Sequence, residues 1–130
     1  MNALLSSVLL VLCAMTALAS SVEQRKAESG FEDTCTFITP DIESLTMFAV
    51  CADDAGNFNL AGTTIGLEEC VGNVNGELVP GTGFTSSCTQ INIDFITLSA
   101  VCITPSGTTI ASSINLNTAI SNINGILTCP

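Results

Sequence analysis

No histidine, tryptophan or tyrosine occurs in the 130 residues, and Arg25 and Lys26 are the only cations. Each absence excludes a chemistry. Without His there is no imidazole base, and beyond Lys26 there is no Lys for a Schiff base and no Arg to clamp an anion. Every acidic residue except Glu23 lies beyond those two cations, and the formal net charge is −10. Binding to a phosphate backbone runs on Lys and Arg releasing counterions, so nucleic acid is excluded as a partner. An anionic membrane surface repels such a chain as well. Beyond Lys26 no internal salt bridge can form, so each carboxylate must be met by solvent, a backbone N–H or a neutral donor.

Only carboxylates remain for catalysis. Asp53-Asp54 and Glu68-Glu69 could be drawn as the acid and nucleophile of a glycosidase. Sequence neighbours on a strand face opposite ways, however, so neither pair flanks one bond, and each reads as a solvated acidic turn. The spaced Asp/Asn ladder of a calcium loop is absent too. The chain reads as no enzyme, with no cofactor and no metal.

What is present begins with a long apolar run, Leu4 to Leu18, closing on the small residues Ala17-Leu18-Ala19-Ser20. That is the h-region and cleavage site of a secretory signal peptide, assigned to residues 1–20. Residues 21–29 are expected to be a flexible segment, and 30–130 the domain. Of the seven cysteines, Cys13 leaves with the signal. The even remainder in a small secreted chain reads as disulfides, and the expected location is extracellular. Short runs of Val, Ile, Thr and Phe between Gly, Asn, Asp and Ser, with no helical periodicity, predict an all-β domain.

The domain also states itself twice. Gly30-Phe31-Glu32-Asp33-Thr34-Cys35 returns as Gly83-Phe84-Thr85-Ser86-Ser87-Cys88, and Ala49-Val50-Cys51 as Ala100-Val101-Cys102. Thr64 to Leu78 returns as Ser113 to Leu127. Such doubling implies a pseudo-symmetric body whose repeats span 30–81 and 82–130. Thr36–Ile38 and Thr89–Ile93 read as strands, with Leu45–Cys51 and Thr97–Ile103 as their partners. Repeat logic then pairs Cys35 with Cys51 and Cys88 with Cys102. Leu67–Val71 and Leu116–Ile120 read as single helical turns. Asn75-Gly76 and Asn124-Gly125 are hairpin signals, since a type I′ turn needs positive φ twice. Cys70 and Cys129 fall outside the repeat, and a bridge between them requires the last hairpin to pack beside repeat one.

Gly-Phe-x-x-x-Cys, then Ala-x-Cys, then Ile-x-Asn-x-Asn-Gly-x-Leu, clearest at Gly83–Cys88, Leu98–Cys102 and Ser113–Leu127, resembles the cyanovirin-N homology family. The resemblance spans residues 30–129. It implies a mannose-binding lectin with two pseudo-symmetric halves, each a triple-stranded sheet plus a hairpin donated by the other repeat. That exchange would bring Cys129 to Cys70. It further implies one metal-free sugar pocket per half, and a monomer or a dimer swapped through the linker Val79–Gly83.

Carried over position by position, the first pocket comprises Gly30, Asp33, Thr34, Ala52 and Asp54 with Asn122, Ile123 and Asn124. The second comprises Gly72, Asn73, Asn75, Thr82, Gly83, Ser86, Ser87 and Thr104, with Ser106. Side chains of Lys, Arg, Glu and Gln that reach over the sugar in better-known members are replaced here by Gly30, Ala52, Gly72 and Pro105. Two-residue insertions precede Cys51 and fall between Gly56 and Ile65, the latter beside the first pocket near Asn57-Phe58-Asn59. The expected partners are high-mannose or related glycans. The competing expectation is a secreted interaction protein or effector on the same scaffold with degenerate pockets. Apart from any ligand role, the hairpin asparagines can hold their own turns, Phe31 and Phe84 read as core, and Asp33 and Asp54 as surface acids.

Overall fold

A computed structural model describes residues 30–130; the expected signal peptide at 1–20, with Cys13, and the expected flexible segment 21–29 lie outside the described residues. The described chain is antiparallel β throughout, interrupted by short 3-10 turns and no α-helix. Strand β1 (Cys35–Asp41) pairs with β2 (Thr46–Cys51), which pairs with β3 (Thr63–Gly66). A hairpin, β4 (Val71–Val74) and β5 (Glu77–Pro80), follows. The second repeat gives a sheet of β6 (Cys88–Asp94), β7 (Thr97–Ile103) and β8 (Thr109–Asn115), then a hairpin of β9 (Ser121–Ile123) and β10 (Ile126–Thr128). The expected helical turns are 3-10 turns at Leu67–Glu69 and Leu116–Thr118. Two more, Phe31–Asp33 and Phe84–Ser86, open the repeats.

Each hairpin lies against the other repeat's sheet: β5 packs on β8, and β10 on β3. Matched hydrogen bonds hold the exchange. Leu78 N–H donates to Ser112 Oγ at 2.9 Å, and Leu127 N–H to Thr63 Oγ1 at 3.2 Å. The exchange brings Cys70 and Cys129 together, and the structure bridges Cys35–Cys51, Cys88–Cys102 and Cys70–Cys129. Where Cys70 stands, the second repeat has Ala119, buried without a bridge.

The core is doubled in the same way. Phe31 and Phe84, Met47 and Leu98, and Leu67 and Leu116 are fully buried, so three matching apolar positions of each repeat feed a single interior. Burying each such side chain contributes about 1.5–3 kcal/mol. Asn75-Gly76 and Asn124-Gly125 take positive φ at both residues, as a type I′ turn demands. Unlike those turns, the bulges at Phe37 (φ 51°) and Gln90 (φ 53°) put ordinary side chains in the left-handed region. They occupy matching places in β1 and β6, so the irregularity belongs to the repeat.

Candidate functional site

The geometry is built around two asparagines on the exchanged hairpins. Asn73 Nδ2 donates to Ser87 Oγ at 2.9 Å and to the Ile103 carbonyl at 3.0 Å, while its Oδ1 accepts from Gly76 N–H at 2.8 Å. Asn122 does the same in the other half. Its Nδ2 donates to Thr34 Oγ1 and to the Ala52 carbonyl, both at 2.9 Å, and its Oδ1 accepts from Gly125 N–H at 2.9 Å. Each amide therefore fixes its own turn and ties it to the opening turn and first loop of a sheet. A backbone bond closes the same joint: Ala52 N–H to Thr34 O, and Ile103 N–H to Ser87 O, both 2.9 Å.

These bonds draw the expected first-site residues into one neighbourhood. Gly30 N–H donates to the Ile120 carbonyl beside β9 at 3.1 Å, and a Cβ on Gly30 would stand 4.0 Å from Asp33. Asp54 N–H donates to Asn124 Oδ1 at 3.0 Å. Ile123 is exposed beside Asn124. The second-site residues gather likewise. Gly72 passes so close to the linker that a Cβ would meet the Thr82 carbonyl at 3.0 Å. Ser86 Oγ donates to the Gly83 carbonyl at 2.8 Å. Thr104, Ser106 and Thr108 form a hydroxyl cluster with O···O distances of 2.7 to 3.2 Å.

Asn75 stands apart. Its counterpart Asn124 accepts from Asp54 N–H, but the matching position holds Pro105, which has no N–H to give. The exposed Asn75 side chain has no hydrogen-bond partner among the described residues.

Two residues outside the expected set support both sites. Asn117 Oδ1 accepts from Glu32 N–H at 2.9 Å, and Glu68 Oε2 accepts from Thr85 N–H at 3.1 Å. They are repeat equivalents, each pinning the 3-10 turn that carries a site residue. The signal lay in the paired positions Leu67-Glu68 and Leu116-Asn117, which the sequence marks only as parts of two matching helical turns. Asp53 is likewise engaged, its Oδ1 accepting from Ala55 and Asn57 N–H at 2.9 Å each. Both acidic pairs thus have a member committed to holding backbone.

Two hollows flank this arrangement. One of about 450 Å³ lies at the seam of β3 and β10, bordered by Thr64–Gly66, Glu69 and Leu127–Cys129, and contains none of the expected site residues. It is the gap beside the exchanged hairpin at the Cys70–Cys129 bridge. The other, about 360 Å³, borders the first site at Asn124. Among the described residues, no group of three His, Cys, Asp or Glu could hold a metal.

Solved structures share this architecture. A CVNH protein of Gibberella zeae is 23% identical, covering 76% of this chain and 95% of its own, with a TM-score of 0.63. Microvirin, solved with mannobiose, is 26% identical over 78% of this chain and 99% of its own, TM-score 0.60. A MoCVNH3 variant in complex with (N-GlcNAc)4 is 18% identical over 78% and 97%, TM-score 0.61. No curated protein matches the sequence significantly. Residues 31–129 match the CVNH domain, and with that span, the doubled β architecture and the three bridges, the chain belongs to the CVNH, or cyanovirin-N homology, family.

Proposed function

We propose that the chain is a secreted, non-catalytic lectin that binds mannose-containing glycans, high-mannose forms included, without a metal, through one neutral polar site in each half. The observation that carries this reading is the repeated asparagine clamp. At each site an amide N–H occupies one lone pair of a hydroxyl, Ser87 or Thr34, and leaves that hydroxyl's proton for a ligand. Short fixed donors and acceptors on tight turns suit the vicinal hydroxyls of a hexose. Each contact is worth about 0.5–1.5 kcal/mol net, so a single site binds weakly and two on one body gain by avidity.

Microvirin's complex with mannobiose supports mannose as the sugar class. Three disulfides support an oxidising, extracellular location. Commitment of Asp53 and Glu68 to backbone N–H groups supports the absence of carboxylate catalysis.

A glycan array with an EDTA arm tests the reading. Specific signal that survives EDTA and falls in the Asn73→Ala/Asn75→Ala variant is the expected result; loss of signal on chelation overturns metal independence. One observation favours a second reading. Gly30, Ala52, Gly72 and Pro105 present no long polar side chain to close over a ligand. A protein that is folded but silent on every glycan would be an interaction protein acting through protein contacts.

A further inference from the structure

The halves run in register through the start of the loop after β2 and β7 and then diverge. Asp53 N–H to Asn57 O and Gly56 N–H to Asp53 O, both 2.9 Å, match Thr104 N–H to Thr108 O at 2.8 Å and Gly107 N–H to Thr104 O at 3.0 Å. In the second half the chain re-enters the sheet at once, with Ile103 opposite Thr109 and Cys102 opposite Ile110. In the first half a single bridge, Ala52 to Phe58, is followed by a departure through residues 59–62. Bonds from Gly62 N–H to Asn59 O at 2.9 Å and from Ala61 N–H to Asn59 Oδ1 at 3.1 Å hold that departure, and pairing resumes at Thr63 opposite Ala49.

This insertion changes what lies beside the exchanged turn. In the second half Ile110 and Thr104 press on Gly76, where an added Cβ would come within 2.7 Å of Ile110 Cδ1 and 2.9 Å of Thr104 Cγ2. In the first half an added Cβ on Gly125 would meet nothing nearer than 3.6 Å. The isoleucine lid has no counterpart, and the 360 Å³ cleft stands in its place, bordered by Asp53, Asn57, Phe58, Asn59, Asn124 and Ile126.

We propose that this cleft is an additional subsite for a pyranose ring, taking the sugar residue that adjoins the one held by Thr34 and Asn124. Its volume falls in the range of about 300–1,000 Å³ typical of small-molecule sites. Its chemistry is mixed in the way a sugar requires. Phe58, 48% exposed, offers an aromatic face for the apolar C–H side of the ring. The Asn57 side-chain amide and the Asn59 Nδ2 have no partner among the described residues and point to hydroxyl recognition. Asp53, locked through one oxygen by Ala55 and Asn57 N–H, keeps the other for a sugar O–H. Asn124 borders both the cleft and the first site, so one oligosaccharide can span them.

The proposal rests on the lectin reading, and residue-resolved titration separates the two. Amide spectra of the full mature chain are followed with mannose, a linear mannotriose and a chitotriose. With a trisaccharide, the expected result is shifts at Ala52–Asp54 together with Asn57, Phe58 and Asn59. In Phe58→Ala the first-site affinity for that trisaccharide falls about tenfold, while monosaccharide affinity is unchanged. Asn57→Ala, an exposed change, lowers trisaccharide affinity in the same direction and guards against misfolding of the Phe58 variant. The trisaccharide that produces the effect identifies the sugar. Shifts confined to Thr34, Asp54 and Asn124, with both variants unaltered, overturn the subsite and leave the lectin standing. No shift at either site with any sugar overturns both.

Discussion

Asn73 and Asn122 make the same three hydrogen bonds, yet the two halves built on them differ in several of the groups around the clamp. In the second half Pro105 withholds an N–H, Ile110 covers the Asn75-Gly76 turn, and a hydroxyl cluster at Thr104, Ser106 and Thr108 lines the adjoining loop. In the first, Asp54 donates to Asn124, the loop is longer, and a cleft opens beside Asn124-Gly125. The hairpins differ as well. Gly72 admits the linker at near-contact distance, whereas its counterpart Ser121 is buried with a hydroxyl that has no partner among the described residues. What stays the same is what topology needs, because the clamp joins an exchanged hairpin to the opposite sheet. Most of the differences lie on side chains that face solvent, and on the lectin reading proposed above they would set how each half discriminates among ligands.

The largest test of this contrast is the one bridge the repeat does not duplicate. Cys70–Cys129 closes a separation of 59 residues, against 14 for Cys88–Cys102. By chain-entropy accounting the long loop is worth about 4 kcal/mol and the short one about 3. Cys70→Ala/Cys129→Ala should therefore destabilise more than Cys88→Ala/Cys102→Ala, read from urea midpoints at constant m-value. Ala119 already fills the Cys70 place in the other half, so packing adds little to the cost. A long-bridge variant more stable than the short-bridge one would show that the exchanged hairpin does not depend on its covalent tie.

Next come the clamps themselves. Asn73→Ala and Asn122→Ala each remove three hydrogen bonds at a partly buried position. Each should cost about 2 kcal/mol, at the lower end because water can reach the exposed neighbours. The costs should agree to within about 0.5 kcal/mol, the scatter of independent sites. A much larger gap would mean that the halves share a shape but not a stabilising device. In ligand titrations each variant should silence its own site only.

How far the sequence foretold this arrangement depends on the range of the cause. The Asn-Gly turns were legible because positive φ selects those two residue types locally. The doubled core, with Phe31 matched by Phe84, followed from repetition. The third bridge was not legible from local signals, since it needs a hairpin to cross to the other sheet; family resemblance supplied it. Phe37 and Gln90 gave no warning of their left-handed φ, because neither type is favoured there and only tertiary pairing imposes it. In the sites, the asparagines were identified but not their division of labour. Nothing in the words Asn-x-Asn-Gly shows that the first amide is a clamp while the second is tied in one half and untied in the other. Pro105 was the clue, and its meaning required the Asp54–Asn124 bond to be seen.

That division gives a smaller, sharper comparison. Asn75→Gly and Asn124→Gly both keep the positive φ of the turn and delete the side chain. Asn124→Gly breaks the bond from Asp54 N–H and should cost about 1 kcal/mol. Asn75→Gly removes a side chain with no internal partner and should leave the unfolding midpoint unchanged while weakening glycan binding in the second half. Equal destabilisation by the two would refute the idea that Pro105 releases Asn75 for a ligand.

The smallest expected effect concerns the β1–β2 turn, where the first half carries its other insertion. Asp41 Oδ1 accepts from Glu43 N–H at 2.9 Å and Ser44 N–H at 3.3 Å, closing the loop before Thr46. Hydrogen bonds from the Ser44 side chain and from the Ser44 and Glu43 backbone hold the Asp41 carboxyl below its ordinary value of 3.8. Those donors favour the ionised form, so the group contributes stability that is full above the unfolded value and is lost as pH falls through the lower folded value. Asp41→Asn keeps an oxygen acceptor but removes the titration. The stability difference between wild type and this variant should therefore be constant from about pH 7 to pH 5 and shrink as pH drops below about 3.8. Denaturation midpoints across that series decide it. A difference that does not change with pH would mean that the Asp41 charge adds nothing to the turn, and that the longer loop of the first half is held by its backbone alone.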